Sequence, residues 1–134
     1  MFNGPKRLKY KKTRKGKLSR LEFKANELNQ GTIGLKAIES GIIRSNQLEA
    51  ARQAIVRKIK RKGKIWIKIF PDIPITSKPT GVRMGKGKGQ VSHWGARVRG
   101  GTVLFEICGI TYNTAVIALG SGSAKLPIKT KIFV

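Results

Sequence analysis

Residues 45–70 read SNQLEAARQAIVRKIKRKGKIWIKIF, and a change of period within them decides the fold. Leu48, Ala51, Ile55 and Ile59 recur at three- and four-residue spacing, which places one apolar stripe on a helix over residues 45–62. Ser45 or Asn46 stands where a cap is needed, with Glu49 in support, and Gly63 where the helix should stop. Beyond that glycine the period drops to two: Ile65, Ile67 and Ile69 share one face of a strand over residues 65–70. Pro71, Pro74 and Pro79 are expected to end this strand and stiffen the connection after it.

Working outward, residues 91–98 and 103–108 read as a hairpin about the turn Arg99-Gly100-Gly101-Thr102. Residues 32–38 read as an early strand and residues 128–134 as a closing one. A weaker helix is expected over residues 113–125, where Gly120 and Gly122 lower the propensity. Strands before, between and after two helices make a single α+β domain of mixed strands over residues 31–134, preceded by a basic N-terminal arm over residues 1–30.

The 134 residues include 29 Lys or Arg against six Asp or Glu, a net charge of +23. A body this small repels itself at such a charge unless a polyanion neutralises it, and phosphate backbones do so by releasing condensed counterions. An anionic membrane surface is the rival partner. However, the apolar runs fall far short of the ~20 residues of a membrane-spanning helix, and the basic helix carries Leu, Ala and Ile without Trp or Phe, a poor interfacial anchor. Cys108 is the only cysteine, which excludes an internal disulfide and a cysteine metal cluster. Residues 1–20 have no apolar h-region of a secretory signal; rich in Lys and with one Ser, they read as an arm rather than a transit peptide.

The cations fall in three blocks. Lys6, Arg7, Lys9, Lys11, Lys12 and Arg14 belong to an acid-free start; Arg57, Lys58, Arg61, Lys62 and Lys64 gather at the end of the helix; Arg83, Lys86 and Lys88 lie in a loop over residues 83–89. A helix dipole needs only one or two cations at its C-terminus, so the second block points to a further partner. In the loop, Met84, Gly85, Gly87 and Gly89 alternate with lysines, a composition that lets backbone approach another chain closely while supplying charge. A phosphate-binding P-loop is excluded because Gly81 to Gly87 leaves five residues between where four are required, and Gly89 stands where Ser or Thr is needed. A dinucleotide fingerprint fails at Gln90.

Catalytic groupings are thin. His93 has no second His and is expected to fill a strand face, Cys108 reads as a small core residue, and Asp72 as a turn former. Glu106 is the only acid after Asp72, so a carboxylate pair is not expected. Trp66 and Trp94 sit within strands and read as core before base-stacking residues. No catalytic residue, metal or cofactor follows from these residues.

Several stretches resemble the bacterial-type large-subunit ribosomal protein sixteen family: Pro5-Lys6-Arg7-Leu8-Lys9-Tyr10, Gly63-Lys64-Ile65-Trp66-Ile67, Phe70-Pro71-Asp72, Val82-Arg83-Met84-Gly85-Lys86-Gly87-Lys88-Gly89 and Lys125-Leu126-Pro127-Ile128-Lys129-Thr130. The resemblance implies a hammerhead-type α+β fold and a structural, non-enzymatic place in the large ribosomal subunit. The implied partners are large-subunit rRNA, tRNA in the aminoacyl site and neighbouring ribosomal proteins, with no membrane. It implies that Lys6, Arg7 and Lys9 in the arm and Arg83, Lys86 and Lys88 in the loop reach RNA near the peptidyl-transferase region. Pro79-Thr80-Gly81-Val82-Arg83 and Ala96-Arg97-Val98 are more similar to mitochondrial relatives, so the mitochondrial ribosome is the expected location and a bacterial cytoplasm the alternative.

Overall fold

The computed structural model describes residues 4–134; the first three residues of the arm, Met1, Phe2 and Asn3, lie outside the described residues. Regular structure begins with strands β1 (Ile33–Ala37) and β2 (Gly41–Arg44), which runs directly into helix α1 (Ser45–Lys58). Strands β3 (Lys64–Ile67), β4 (Ile73–Ser77), β5 (Gln90–Val98) and β6 (Val103–Cys108) follow, then helix α2 (Tyr112–Ser123) and strand β7 (Thr130–Phe133). The strands form two antiparallel sheets, one ordered β3-β6-β1-β7 and the other β2-β5-β4.

Cross-strand partners share a face, so the register sorts the four-stranded sheet into two sides. On the front, Ile33 lies opposite Ile107, and Leu35 lies between Phe105 and Ile132; Ile65 and Ile67 extend the row along β3. This row and the stripe Leu48, Ala51, Ile55 and Ile59 belong to one buried core with Ala115, Ala118 and Leu119. On the rear, Gly34 lies between Glu106 and Phe133, and Trp66 lies beyond Glu106. The two helices pack on each other, α2 against β1 and β7, and α1 against β2 and β5.

Four sequence expectations change. The 91–98 and 103–108 strands form, yet they are no hairpin: β5 pairs with β2 and β4, whereas β6 pairs with β1 and β3. The turn itself closes, Thr102 N–H donating to the Arg99 carbonyl at 3.1 Å, but no ladder follows it: Gly101 N–H donates to the Ala37 carbonyl and the Thr102 carbonyl accepts from Ala37 N–H. Pro74 does not end a strand but sits within β4, an edge strand where a missing N–H costs no ladder bond. Helix α1 stops at Lys58, a turn before Gly63, because Lys60 and Arg61 turn left-handed and Arg61 N–H closes on the Val56 carbonyl. Its N-cap is Arg44, whose N–H donates to Gln47 Oε1 at 2.9 Å, in place of Ser45 or Asn46.

The two glycines of α2 have opposite roles. Gly122 is buried, and a Cβ there would come within 2.6 Å of the Ile55 side chain, so the absence of a side chain is what lets α2 approach α1. Gly120 is exposed and has open space around it. Gly120→Ala should therefore stabilise the protein by about 0.5–1 kcal/mol through helix propensity. Gly122→Val should destabilise it by about 1–3 kcal/mol through overpacking. Urea unfolding of the two variants checks both signs.

Candidate nucleic-acid interface

Between residues 4 and 32 the chain has no helix or strand, and it is held instead by the body of the protein. Gly4 sits so close to Trp94 that a Cβ there would fall 2.4 Å from the indole. Gly16 approaches the Arg97 guanidinium, Glu22 N–H donates to the Gly100 carbonyl, and Val103 N–H donates to the Ala25 carbonyl. At the root, Gln30 and Gly31 N–H donate to Glu106 Oε2, both at 2.8 Å. The arm thus follows residues 94–106 in the same direction, anchored at each stage by β5, the turn after it, or β6.

Midway the arm meets the glycine-lysine loop. Lys12 Nζ donates to the Lys88 carbonyl at 2.9 Å, and Lys88 Nζ donates in return to the Thr13 carbonyl. Lys78 Nζ spans the loop to the Gly85 carbonyl. Gly85, Lys86 and Gly87 all have positive φ, and nothing lies within 4 Å of a Cβ built on either glycine. Met84 is 93 % exposed. The tip is therefore bare backbone flanked by cations. Gly89 has a different duty at the base, where a side chain would collide with the Ser77 carbonyl.

The structure brings the arm and loop blocks together, and every one of Lys6, Arg7, Lys9, Lys11, Lys12, Arg14, Arg83, Lys86 and Lys88 is exposed. The third block stands on other elements. Arg57 and Arg61 line a shallow groove at the end of α1 with Arg52, Gln53, Val56 and Lys60, while exposed Lys58, Lys62 and Lys64 lie around it. Glu49 does not cap the helix but pairs with Arg52 at 2.6 Å and accepts from Gln53 at 3.1 Å. The Arg52 hydrogen bond, opposed by burial and aided by Gln53, holds the Glu49 carboxyl down at about 2. The groove also takes in Arg52, five residues before Arg57, and Lys60, three after it, which the expected binding set omits although Lys60 belongs to the same basic run.

Trp66 and Trp94 are half-buried, as is Cys108 at the end of β6. His93 is half-buried beside Ser92, and burial, with the Arg44 and Lys15 charges, pushes its pKa down. Asp72 is exposed between β3 and β4. Among the described residues no three His, Cys, Asp or Glu side chains group to hold a metal, and no helix is long and apolar enough to cross a membrane.

Sequence reasoning read Glu106 only as an acid without a carboxylate partner and assigned it no role. Glu106 is fully buried, with Lys68 Nζ 3.3 Å from Oε1 and Asn29 N–H at a longer 3.4 Å. Burial pushes its carboxyl up, but the Gln30, Gly31 and Asn29 N–H groups and the Lys68 ammonium outweigh that, leaving its pKa below the ordinary value.

An α+β domain whose cations are gathered on an arm, a helix end and a bare loop belongs to the class of structural nucleic-acid-binding proteins. The sequence matches the model of the ribosomal protein L16p/L10e family over residues 5–133, and the chain belongs to that family, which is structural and not enzymatic. It is 53 % identical over 127 residues to the large ribosomal subunit protein uL16 of Bartonella henselae, covering 95 % of this chain and 93 % of the relative. The protein of the same name from Gluconobacter oxydans is 51 % identical, over 95 % and 92 % of the two chains. That from Chelativorans is 50 % identical, over 95 % and 93 %.

The lowered pKa values of Glu49 and Glu106 fix the sign of the acid response. A carboxyl whose folded pKa lies below its unfolded value adds stability above the unfolded value, and that stability is lost as pH falls through the folded one. Thermal stability should therefore decline as pH drops below about 4.5, the ordinary value for these groups. Melting curves from pH 7 to pH 2 should show that decline, and Glu106→Gln should flatten it.

Proposed function

We propose that this protein is a structural constituent of the large ribosomal subunit and that it holds large-subunit rRNA with its three basic surfaces. Family membership over nearly the whole chain carries this reading. The exposure of the cations and their junction at the arm and loop support it. Lys6, Arg7, Lys9, Lys11, Lys12 and Arg14 grip phosphates from the arm, Arg57, Lys58, Arg61, Lys62 and Lys64 from the end of α1, and Arg83, Lys86 and Lys88 from the loop. The bare tip made by Met84, Gly85 and Gly87 enters where a bulkier chain could not, and lies beside tRNA in the aminoacyl site. Neighbouring ribosomal proteins cover part of the remaining surface. The site of action is the mitochondrial ribosome, supported by the similarity of Pro79-Thr80-Gly81-Val82-Arg83 to mitochondrial relatives, although the relatives compared above are bacterial. Tracing the chain in purified organelles and their ribosomes decides between the two locations.

With about eight to ten phosphates neutralised, affinity for a large-subunit RNA transcript should fall by about 10³–10⁵ between 50 and 200 mM salt. A flat salt dependence rejects the reading. Replacing Lys86 and Lys88 together with Ala should impair subunit assembly or tRNA accommodation, read by sucrose-gradient profiles and by binding of aminoacyl-tRNA to isolated subunits. Normal behaviour in both assays would remove the loop from the interface.

A further inference from the structure

Among the described residues Glu106 is the charged side chain that is wholly buried, and none of the RNA-gripping roles above uses it. It stands near the middle of β6 on the rear of the sheet, opposite Gly34 and Trp66. That side is covered by the root of the arm. A Cβ on Gly34 would come within 2.6 Å of the Leu28 side chain, and one on Gly31 within 2.7 Å of Glu106 Cβ. Both approaches require glycine, and the second brings the Gln30 and Gly31 N–H groups onto one carboxylate oxygen. Lys68, from the segment after β3, neutralises the other oxygen. A buried carboxylate is costly unless paired and hydrogen-bonded, and here the donors come from the arm.

We propose that Glu106 is a positioning residue for RNA binding: by seating residues 28–31 on the rear of the sheet it fixes the point and direction at which the basic arm leaves the domain. The inference rests on the rRNA-binding reading above. Without the seat the arm remains attached but its cations must be ordered anew on each encounter, and that ordering entropy is taken from the affinity. The seat also accounts for the next anchors, since Ala25 meets Val103 and Glu22 meets Gly100 only if the chain departs from Glu106 in this direction.

The test exploits an opposition of sign. Glu106→Gln removes an acid, so charge alone would tighten binding to RNA, whereas loss of the seat weakens it. In the full-length chain we expect affinity for a large-subunit RNA transcript to fall roughly tenfold, the worth of a charged hydrogen bond. Amide exchange at Gln30 and Gly31 should accelerate while that at Leu35 and Ile107 stays slow. The same substitution made where Lys6, Arg7, Lys9, Lys11, Lys12, Arg14, Lys15, Lys17, Arg20 and Lys24 are all Ala should change affinity no further, because the arm then has no cation left to present. Gln30→Pro, which deletes one donor without touching the sheet, should reproduce the loss if Glu106→Gln fails to fold. Tighter or unchanged binding by the variants overturns the proposal, as does an equal loss in both backgrounds, which would mark Glu106 as a fold residue only. Failure of the unaltered chain to bind the transcript would instead defeat the rRNA reading itself.

Discussion

Twenty-nine cations on 134 residues repel one another, and the six acids are too few to balance them. The structure therefore depends on where those acids stand. Glu22 faces Arg99, Glu39 faces Lys129, Glu49 faces Arg52 and Glu106 faces Lys68. Each pair fastens a segment: arm to turn, the β1–β2 connection to the approach to β7, one turn of α1 to the next, and arm root to sheet. The exposed pairs contribute little energy in water. Their value is geometric, because they leave the remaining cations unpaired on surfaces that face outward. The buried Glu106 differs in kind, since removing a partner from it leaves an uncompensated charge in the interior.

Seen this way, arm, loop and body form one surface rather than a domain with a loose tail. The arm is laid along residues 94–106, and the Lys12 and Lys88 ammonium groups tie it to the loop through each other's neighbouring carbonyls. These two lysines hold the shape of the surface to which they also lend charge, while Lys86 and Arg83 make no such tie. This division of labour suits a binder of folded RNA, in which phosphates occupy fixed positions and a prearranged set of cations avoids ordering costs on binding.

Much of the fold could be read from periodicity. The stripe Leu48, Ala51, Ile55 and Ile59 placed a helix and the alternation Ile65, Ile67, Ile69 a strand, both reflecting a one-sided core, although the strand runs over Lys64–Ile67 and stops short of Ile69. The strands β2 and β4 escaped notice because β2 merges into α1 and Pro74 disguises β4. The false hairpin arose because local pattern cannot tell which sheet a strand joins; the turn closes, but Ala37, over 60 residues away, takes the Thr102 carbonyl that a ladder would have used next. Of the candidate site, the charge blocks and the glycine-lysine loop were legible as composition. That the arm and loop touch was not, and neither was the seat at Glu106, since a lone acid in an apolar strand carries no signal of the backbone donors that will surround it.

The separation between the arm and its seat has a consequence for biosynthesis. Gly31 and its acceptor Glu106 are 75 positions apart, and Thr13 and Lys88 are equally distant. Chains emerge N-terminus first at about 5–20 residues per second, so the arm exists for roughly 4–15 s before its resting place has been made. Throughout that interval a strongly cationic stretch hangs from the translating machine, itself built largely of RNA, with no internal surface to lie on. The newborn polypeptide thus carries its arm without a fixed course until its later strands are made, and completion of β6 is the moment at which that course is set.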